Sequence, residues 1–257
     1  MTYPNFKNKH IEESLIEPKQ FMLEYKRYKK SDFPKKYIFV YSESPIRYLK
    51  KKYKGRYKII KLYKDHAIYV YNNVGLIRMG GVGAPHATIF LEEIIAMGGK
   101  EFLSLGTAGG LQEEGIFLCN KAIRDEGTSS HYIAHEKYSY PNKELTKRLE
   151  SNLNKAKIKY KKGTTWTIDA PYRETKAEIT HYKKEGVATV EMEASALFAV
   201  AKLRKVKIAS AFVVSDVLGK KWEPKFHHIN VKKSLNKLID VGIECLKWRN
   251  CLEIWRG

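Results

Sequence analysis

The chain has 257 residues, 43% of them hydrophobic and 30% charged, a balance that fits one α/β domain with a sizeable core and excludes global disorder. Lys and Arg number 48 against 28 Asp and Glu, a net charge of +20; the lysines are spread along the whole chain among many Tyr and Asn, as AT-rich codon usage produces, so only part of the charge is assigned to attraction of phosphate or nucleotide. Three cysteines, Cys119, Cys245 and Cys251, with no CxxC or Cys/His spacing, exclude a disulfide framework and a metal cluster, and with no apolar run of membrane length and no signal-type segment over residues 1–14 the expectation is a cytoplasmic protein without a membrane partner.

Residues 1–36 are polar, basic and aromatic-rich and read as an N-terminal extension packed on a main body, residues 37–257. The apolar, β-branched and aromatic run at 37–41 predicts a buried strand, followed by a basic helix over 44–53. Strands are predicted at 57–62, 67–71 and 74–79. Residues 85–97 read as a helix with Pro85 in its first turn, a buried stripe of Ile89, Leu91, Ile94 and Ile95, and Gly98-Gly99 as its stop. A strand at 101–105 runs into a glycine-rich turn, Gly106-Thr107-Ala108-Gly109-Gly110. Further strands are predicted at 116–123, 187–190 and 206–215, and helices at 142–156, 173–185, 191–203 and 231–248. Strands alternating with helices indicate one α/β domain with a sheet covered on both faces.

Ligands of open α/β sheets sit at the carboxyl ends of the strands. Four junctions there carry unusual chemistry: Glu43-Ser44-Pro45-Ile46-Arg47, the run 106–110, Glu191-Met192-Glu193, and Ser215-Asp216. Each has a plain explanation when taken alone. The glycines make a tight turn, although they also let backbone N–H groups approach a ligand, with the Thr107 hydroxyl as a further donor. Glu191 and Glu193 sit where a helix dipole favours carboxylates, yet Glu193 precedes a very apolar stretch and a buried acid needs partners such as ribose hydroxyls. Asp216 is either a turn cap or a proton donor. Arg47 is either a solvated cation or a phosphate clamp. Their joint occurrence in this order favours the functional alternative.

The chain resembles the nucleoside phosphorylase family that contains uridine phosphorylase, hexameric purine nucleoside phosphorylase and the methylthioadenosine/S-adenosylhomocysteine nucleosidases. The likeness covers residues 37–217 and is carried by Gly81-Val82-Gly83-Ala84-Pro85 with Leu91-Glu92-Glu93, then Leu105-Gly106-Thr107-Ala108-Gly109-Gly110, Val190-Glu191-Met192-Glu193-Ala194 and Val214-Ser215-Asp216. It implies a single-domain, three-layer α/β/α sandwich around a mixed, partly barrel-like sheet. It also implies phosphate-dependent cleavage of the N-glycosidic bond of a nucleoside, purine in preference to uridine, to free base and ribose 1-phosphate. By resemblance, Glu193 holds the ribose hydroxyls with Met192 and Glu191 beside it. Arg47, Thr107 and Gly81 bind phosphate. Ala108, Gly109, Pro171, Tyr172 and Ser215 line the base, and Asp216 protonates it.

Phosphate enters as co-substrate; no metal or organic cofactor is implied, and nucleic acid is not expected as a partner. The resemblance further implies a homo-oligomer built from dimers, up to a hexamer, with His10, Lys61 and His66 as candidates for the residue a neighbouring subunit donates. Glu43 and Pro171 depart from the pattern, as does Ser104, which stands where phosphorylases place a second phosphate arginine. That last departure keeps hydrolysis by water open as an alternative. A basic nucleic-acid-binding protein and a nucleoside sensor without turnover are the others.

Overall fold

The computed structural model describes residues 3–63, 66–219 and 221–247. In chain order these form β1 (Lys36–Val40), α1 (Glu43–Lys52), β2 (Lys58–Lys61), β3 (Ala67–Tyr71), β4 (Val74–Arg78), α2 (Ala84–Ala96), β5 (Glu101–Gly110), β6 (Ile116–Asp125), β7 (Tyr138–Ser139), α3 (Lys143–Lys155), β8 (Lys161–Ile168), α4 (Lys176–Lys184), β9 (Val187–Glu191), α5 (Ala194–Leu203), β10 (Lys207–Leu218), β11 (Trp222–Pro224) and α6 (Ile229–Lys247). The strands join one sheet in the order β11-β10-β6-β8-β9-β5-β1-β4-β3-β2, and β10 pairs with β5 as well. That extra pairing closes β10, β6, β8, β9 and β5 into a ring, while β1 to β4 extend from it as an open sheet. Parallel and antiparallel pairings are mixed: β1 runs parallel to β4 and β5, whereas β9 runs antiparallel to β5. The result is the mixed, partly barrel-like α/β fold expected from the sequence.

Helices cover both faces. On one side Phe90, Leu91 and Ile94 of α2 pack with Ala194, Leu197, Phe198 and Ala201 of α5 against Phe39 and Phe102. On the other, Leu145, Leu149 and Leu153 of α3 pack with Leu238 and Ile239 of α6 and Ile46 and Leu49 of α1 against Leu103 and Leu105. The α3 leucines recur every four residues, one face of a helix, and the Asn142 side chain caps that helix by accepting from Leu145 N–H at 2.9 Å. Helix α5 is apolar all round and buried from Ala194 to Ala201.

Several expectations change. The predicted glycine turn is strand: β5 runs through Gly110, because its neighbours come too close for side chains. A Cβ on Gly109 would lie 2.9 Å from Val190 Cγ1, and one on Gly110 would lie 2.8 Å from the Glu113 carbonyl oxygen. Within α2, Leu91 and Ile94 are buried as expected, but Ile89 is 55% exposed. The buried side also takes Glu92 and Glu93, because Arg204 donates to Glu92 and the Tyr63 hydroxyl to Glu93. The helix predicted at 173–185 begins at Lys176, since Pro171–Arg173 form a separate short turn. The helix predicted from 191 begins at Ala194, because Glu191 still belongs to β9. Strand β8 went unpredicted. Trp248, the end of the last predicted helix, and Cys251 lie outside the described residues.

Ahead of β1, the described part of residues 1–36 forms short helical turns. Met22 is fully buried there, Glu17 pairs with Arg204 at 3.7 Å, and the Tyr3 hydroxyl lies 2.7 Å from His131 Nε2. Among the described residues no helix is long and apolar enough to cross a membrane.

The close approach at Gly110 generates a test. The added methyl of Gly110→Ala meets a backbone oxygen that cannot rotate away, so overpacking costs about 1–3 kcal/mol. Urea unfolding should show a lower midpoint with unchanged slope; an unchanged midpoint contradicts the packing described.

Candidate functional site

The ends of β5, β9 and β10 meet beside the starts of α2 and α5. Gly109 pairs with Val190 across β5 and β9. On the other side of β5, the β10 register runs from Val214 opposite Ala108 to Asp216 opposite Gly109, which leaves Ser215 as a bulge. Bulges re-aim side chains. Here the Ser215 hydroxyl donates to Asp216 Oδ1 at 2.9 Å and faces the Ala108 carbonyl oxygen. Asp216 Oδ2 accepts from the Trp222 indole N–H at 2.9 Å, since β11 folds back and pairs with β10. Asp216 is buried, whereas Trp222 is largely exposed. Near it, Glu174 is half-buried; burial first, then the Asp216 and Glu178 charges, push its carboxyl up to about 7.

The Glu191 carboxylate is buried and accepts four hydrogen bonds, the longest from the Thr165 hydroxyl at 3.5 Å. It accepts from the Thr167 hydroxyl at 2.6 Å and from the N–H groups of Glu193 at 2.9 Å and Ala194 at 2.8 Å. Helix α5 thus begins on a negative charge, where its unpaired N–H groups and dipole favour one. Burial raises the pKa of Glu191, and the Thr167 hydrogen bond works against that rise.

Glu193, also buried, accepts from Gly83 N–H at 2.6 Å. Gly83, at φ 103°, turns the chain into α2 in a conformation that suits glycine. Burial, with the Glu191 charge second, pushes Glu193 up to about 8.

Thr107 is the one exposed residue of β5. Just past β1, the Tyr41 hydroxyl lies 2.8 Å from Ser104 Oγ, and its ring lies against Gly106, where a Cβ would stand 3.0 Å from Tyr41 Cδ2. Burial first, then the Glu193 charge, raise the Tyr41 phenol well above its usual pKa.

Glu191, Glu193, Ala108, Gly109, Ser215 and Asp216 therefore converge, with Thr107 at the same strand end and Met192 half-buried between the two glutamates. Gly81 is half-buried beside the His86 ring. Arg47 is exposed on α1, and Glu43 of the same helix pairs with Arg78 at 3.3 Å. Pro171 is exposed and Tyr172 wholly so; the structure does not bring these two together with the buried carboxylates. Their neighbour Asp169 accepts from Gly127 N–H at 2.8 Å. Lys61 is exposed, His10 is half-buried, and His66 packs on Phe90 with ring centroids 4.6 Å apart.

Sequence reasoning missed Thr167, Tyr41, Glu174 and Trp222. The run Thr164-Thr165-Trp166-Thr167-Ile168 is rich in strand formers and could have revealed β8 and its threonine. Trp222 lies in a lysine-rich stretch that carried no such signal.

The sequence profile of the phosphorylase superfamily matches residues 46–247. A purine nucleoside phosphorylase of Plasmodium vivax (strain Salvador I) is 29% identical over 172 residues, 64% of this chain and 70% of that protein. A uridine phosphorylase of Treponema pallidum (strain Nichols) is 28% identical over 149 residues, 52% of this chain and 58% of that protein. Among solved structures, an AMP nucleosidase from Bacteroides thetaiotaomicron superposes with a TM-score of 0.73 at 21% identity, covering 90% of this chain and 96% of that one. The purine nucleoside phosphorylase of Toxoplasma gondii in complex with immucillin-H gives 0.76 at 16% identity, covering 86% and 94%. These two are likenesses of fold.

The raised carboxyl of Glu193 predicts a pH dependence of stability. A group whose pKa is higher folded than unfolded adds stability that is fully present below its unfolded value, ~4.3 for Glu. That stability is lost as pH rises through the folded value, about 8 for Glu193. Thermal melts of wild type and Glu193→Gln should therefore diverge between these limits, with wild type losing more stability as pH rises. Parallel profiles would contradict the burial of an ionisable group.

Proposed function

Since the chain belongs to the phosphorylase superfamily, we propose that it cleaves the N-glycosidic bond of a purine nucleoside, with phosphate as the attacking group, to free base and ribose 1-phosphate. The observation that carries this reading is the pair of buried carboxyls, Glu193 and Asp216, held by different elements around one strand end. Cleavage of such a bond builds positive charge on the sugar and negative charge on the base. Glu193 binds the ribose hydroxyls and fixes the anomeric carbon, an orientation effect, with Met192 against the sugar and Glu191 locking the loop beneath. Asp216, oriented by Ser215 and Trp222, delivers a proton to the base. Ala108, Gly109 and Ser215 line the base, and Pro171 and Tyr172 close over it when it is bound. Arg47, Thr107 and Gly81 receive the phosphate.

The hydrogen of hydrogen phosphate balances the proton that the base acquires. No metal or organic cofactor takes part in this scheme. The same reading carries a cytoplasmic homo-oligomer built from dimers. A second reading, transfer to water, is favoured by the neutral Tyr41–Ser104 pair near the two glutamates.

Two measurements test the reading. A panel of purine and pyrimidine nucleosides, with and without phosphate, should release base fastest from a purine nucleoside; no release from any nucleoside contradicts it. Asp216→Asn should lower turnover by about 10²–10⁴-fold, the usual worth of a general acid, with an unchanged melting profile. Full activity in that variant removes Asp216 from the chemistry.

A further inference from the structure

Residues 50–61 carry seven Lys and Arg and no Asp or Glu. At the chain's overall frequency, twelve residues would hold about two cations, so this stretch departs from the even spread of the other lysines. The lysines that end α1 suit the helix dipole, but the run continues through the following turn and along β2, where no dipole acts. Among the described residues only Lys52 of the seven forms an ion pair, with Asp240 at 2.6 Å. Lys51, Lys54, Arg56, Lys58 and Lys61 are exposed.

Tyrosines are interleaved with these cations. Strands β2 and β3 are antiparallel, with Ile59 opposite Tyr69. Tyr57 stands two residues before Ile59 and Tyr71 two beyond Tyr69, so all four side chains share one face. The Tyr57 and Tyr69 rings meet edge to face at 6.0 Å, and Tyr71 stacks on the buried Tyr53 at 4.0 Å. Cations hold the rings in place: Lys50 Nζ lies 4.7 Å from the Tyr69 centroid, the Arg56 guanidinium 5.9 Å from that of Tyr71, and Lys247 Nζ 5.4 Å from Tyr71. Tyr57, Tyr69 and Tyr71 remain half-exposed.

A surface of this charge attracts a polyanion, and the rings select its kind. Bases inside a duplex are stacked on one another, whereas unpaired bases stack on aromatic side chains. A lipid surface is a poorer match, because an interfacial anchor needs a continuous apolar face and Ile59 is the one strongly exposed apolar side chain of residues 50–61. We propose that the C-terminal end of α1, the turn after it and the β2–β3 pair form a binding surface for single-stranded nucleic acid. Phosphates run along Lys51, Lys54, Arg56 and Lys58, and bases stack on Tyr57, Tyr69 and Tyr71. This revises the expectation, drawn from composition, that nucleic acid is no partner. Strand β2 ends the sheet four strands from β5, roughly 19 Å at the usual strand spacing, so the surface is separate from the carboxyl site and does not rest on the proposed cleavage.

The test is fluorescence anisotropy of the full chain with a labelled oligouridylate of about twelve nucleotides. Binding should weaken about a hundredfold between about 50 and 200 mM salt, as release of counterions at roughly four to six phosphates requires. Lys54→Glu/Lys58→Glu should cut affinity at least tenfold and flatten the salt slope, with melting profile and nucleoside turnover unchanged. Lys232→Glu/Lys233→Glu makes the same change of net charge about 20 Å along α6 from Lys247 and should bind nearly as wild type does. Tyr57→Leu keeps the charge and an apolar side chain; it should weaken binding about tenfold, the worth of one stacked base, and leave the salt slope unchanged. No binding at the lower salt, equal losses in the two charge-reversal variants, a duplex of the same length that competes as well as the single strand, or binding only to phosphatidylserine vesicles overturns the proposal.

Discussion

The Glu191 carboxylate, held by the Thr167 hydroxyl and by the N–H groups of Glu193 and Ala194, is the contact on which the geometry of the site depends. Helix α5 is apolar on every side and therefore lies inside the protein, where its first N–H groups have no water to bond. An acid from the preceding strand supplies the acceptor. Burying that acid is costly unless it is bonded, and the helix terminus and the threonine of β8 meet the requirement. The same turn carries Glu193 two residues on, which grips Gly83 at the entrance to α2. Two acids separated by one residue at one strand end thereby pin the starts of two helices, and the second acid is set in place before any ligand arrives.

Closure of the ring supplies the opposite wall. Because β10 pairs with both β5 and β6, its end cannot drift from the Ala108–Gly109 backbone, and the bulge at Ser215 turns Asp216 toward the Trp222 indole. Backbone approach at Gly109 and Gly110 takes the space that side chains would occupy. The acids thus stand on strands and helix termini rather than on long loops, which suits groups that must hold orientation through a reaction.

Much of this was legible in the residues. Strand β3 has the predicted bounds of 67–71, because its apolar run is short and ends at Asn72-Asn73. The acidic junction at 191–193 and the Ser215-Asp216 strand end stand out because acids abut apolar runs, a conflict that burial must settle with specific partners. Strand β8 was not read, since its first residues are lysines and its partners β6 and β9 are set by tertiary pairing. The Tyr41–Ser104 contact joins residues 63 positions apart and depends on the β1–β5 register, which no local pattern specifies. The run 106–110 reads as a turn because glycine most often serves turns; here close packing against neighbouring strands demands Gly109 and Gly110.

The central claim is that Glu193, preset by its neighbours, holds the sugar of a nucleoside. Calorimetric titration of wild type and Glu193→Gln with a purine nucleoside and with the free base tests it most directly. Weakened nucleoside binding in the variant, with base binding unchanged, is the predicted result. Equal nucleoside affinity in the two proteins would contradict it.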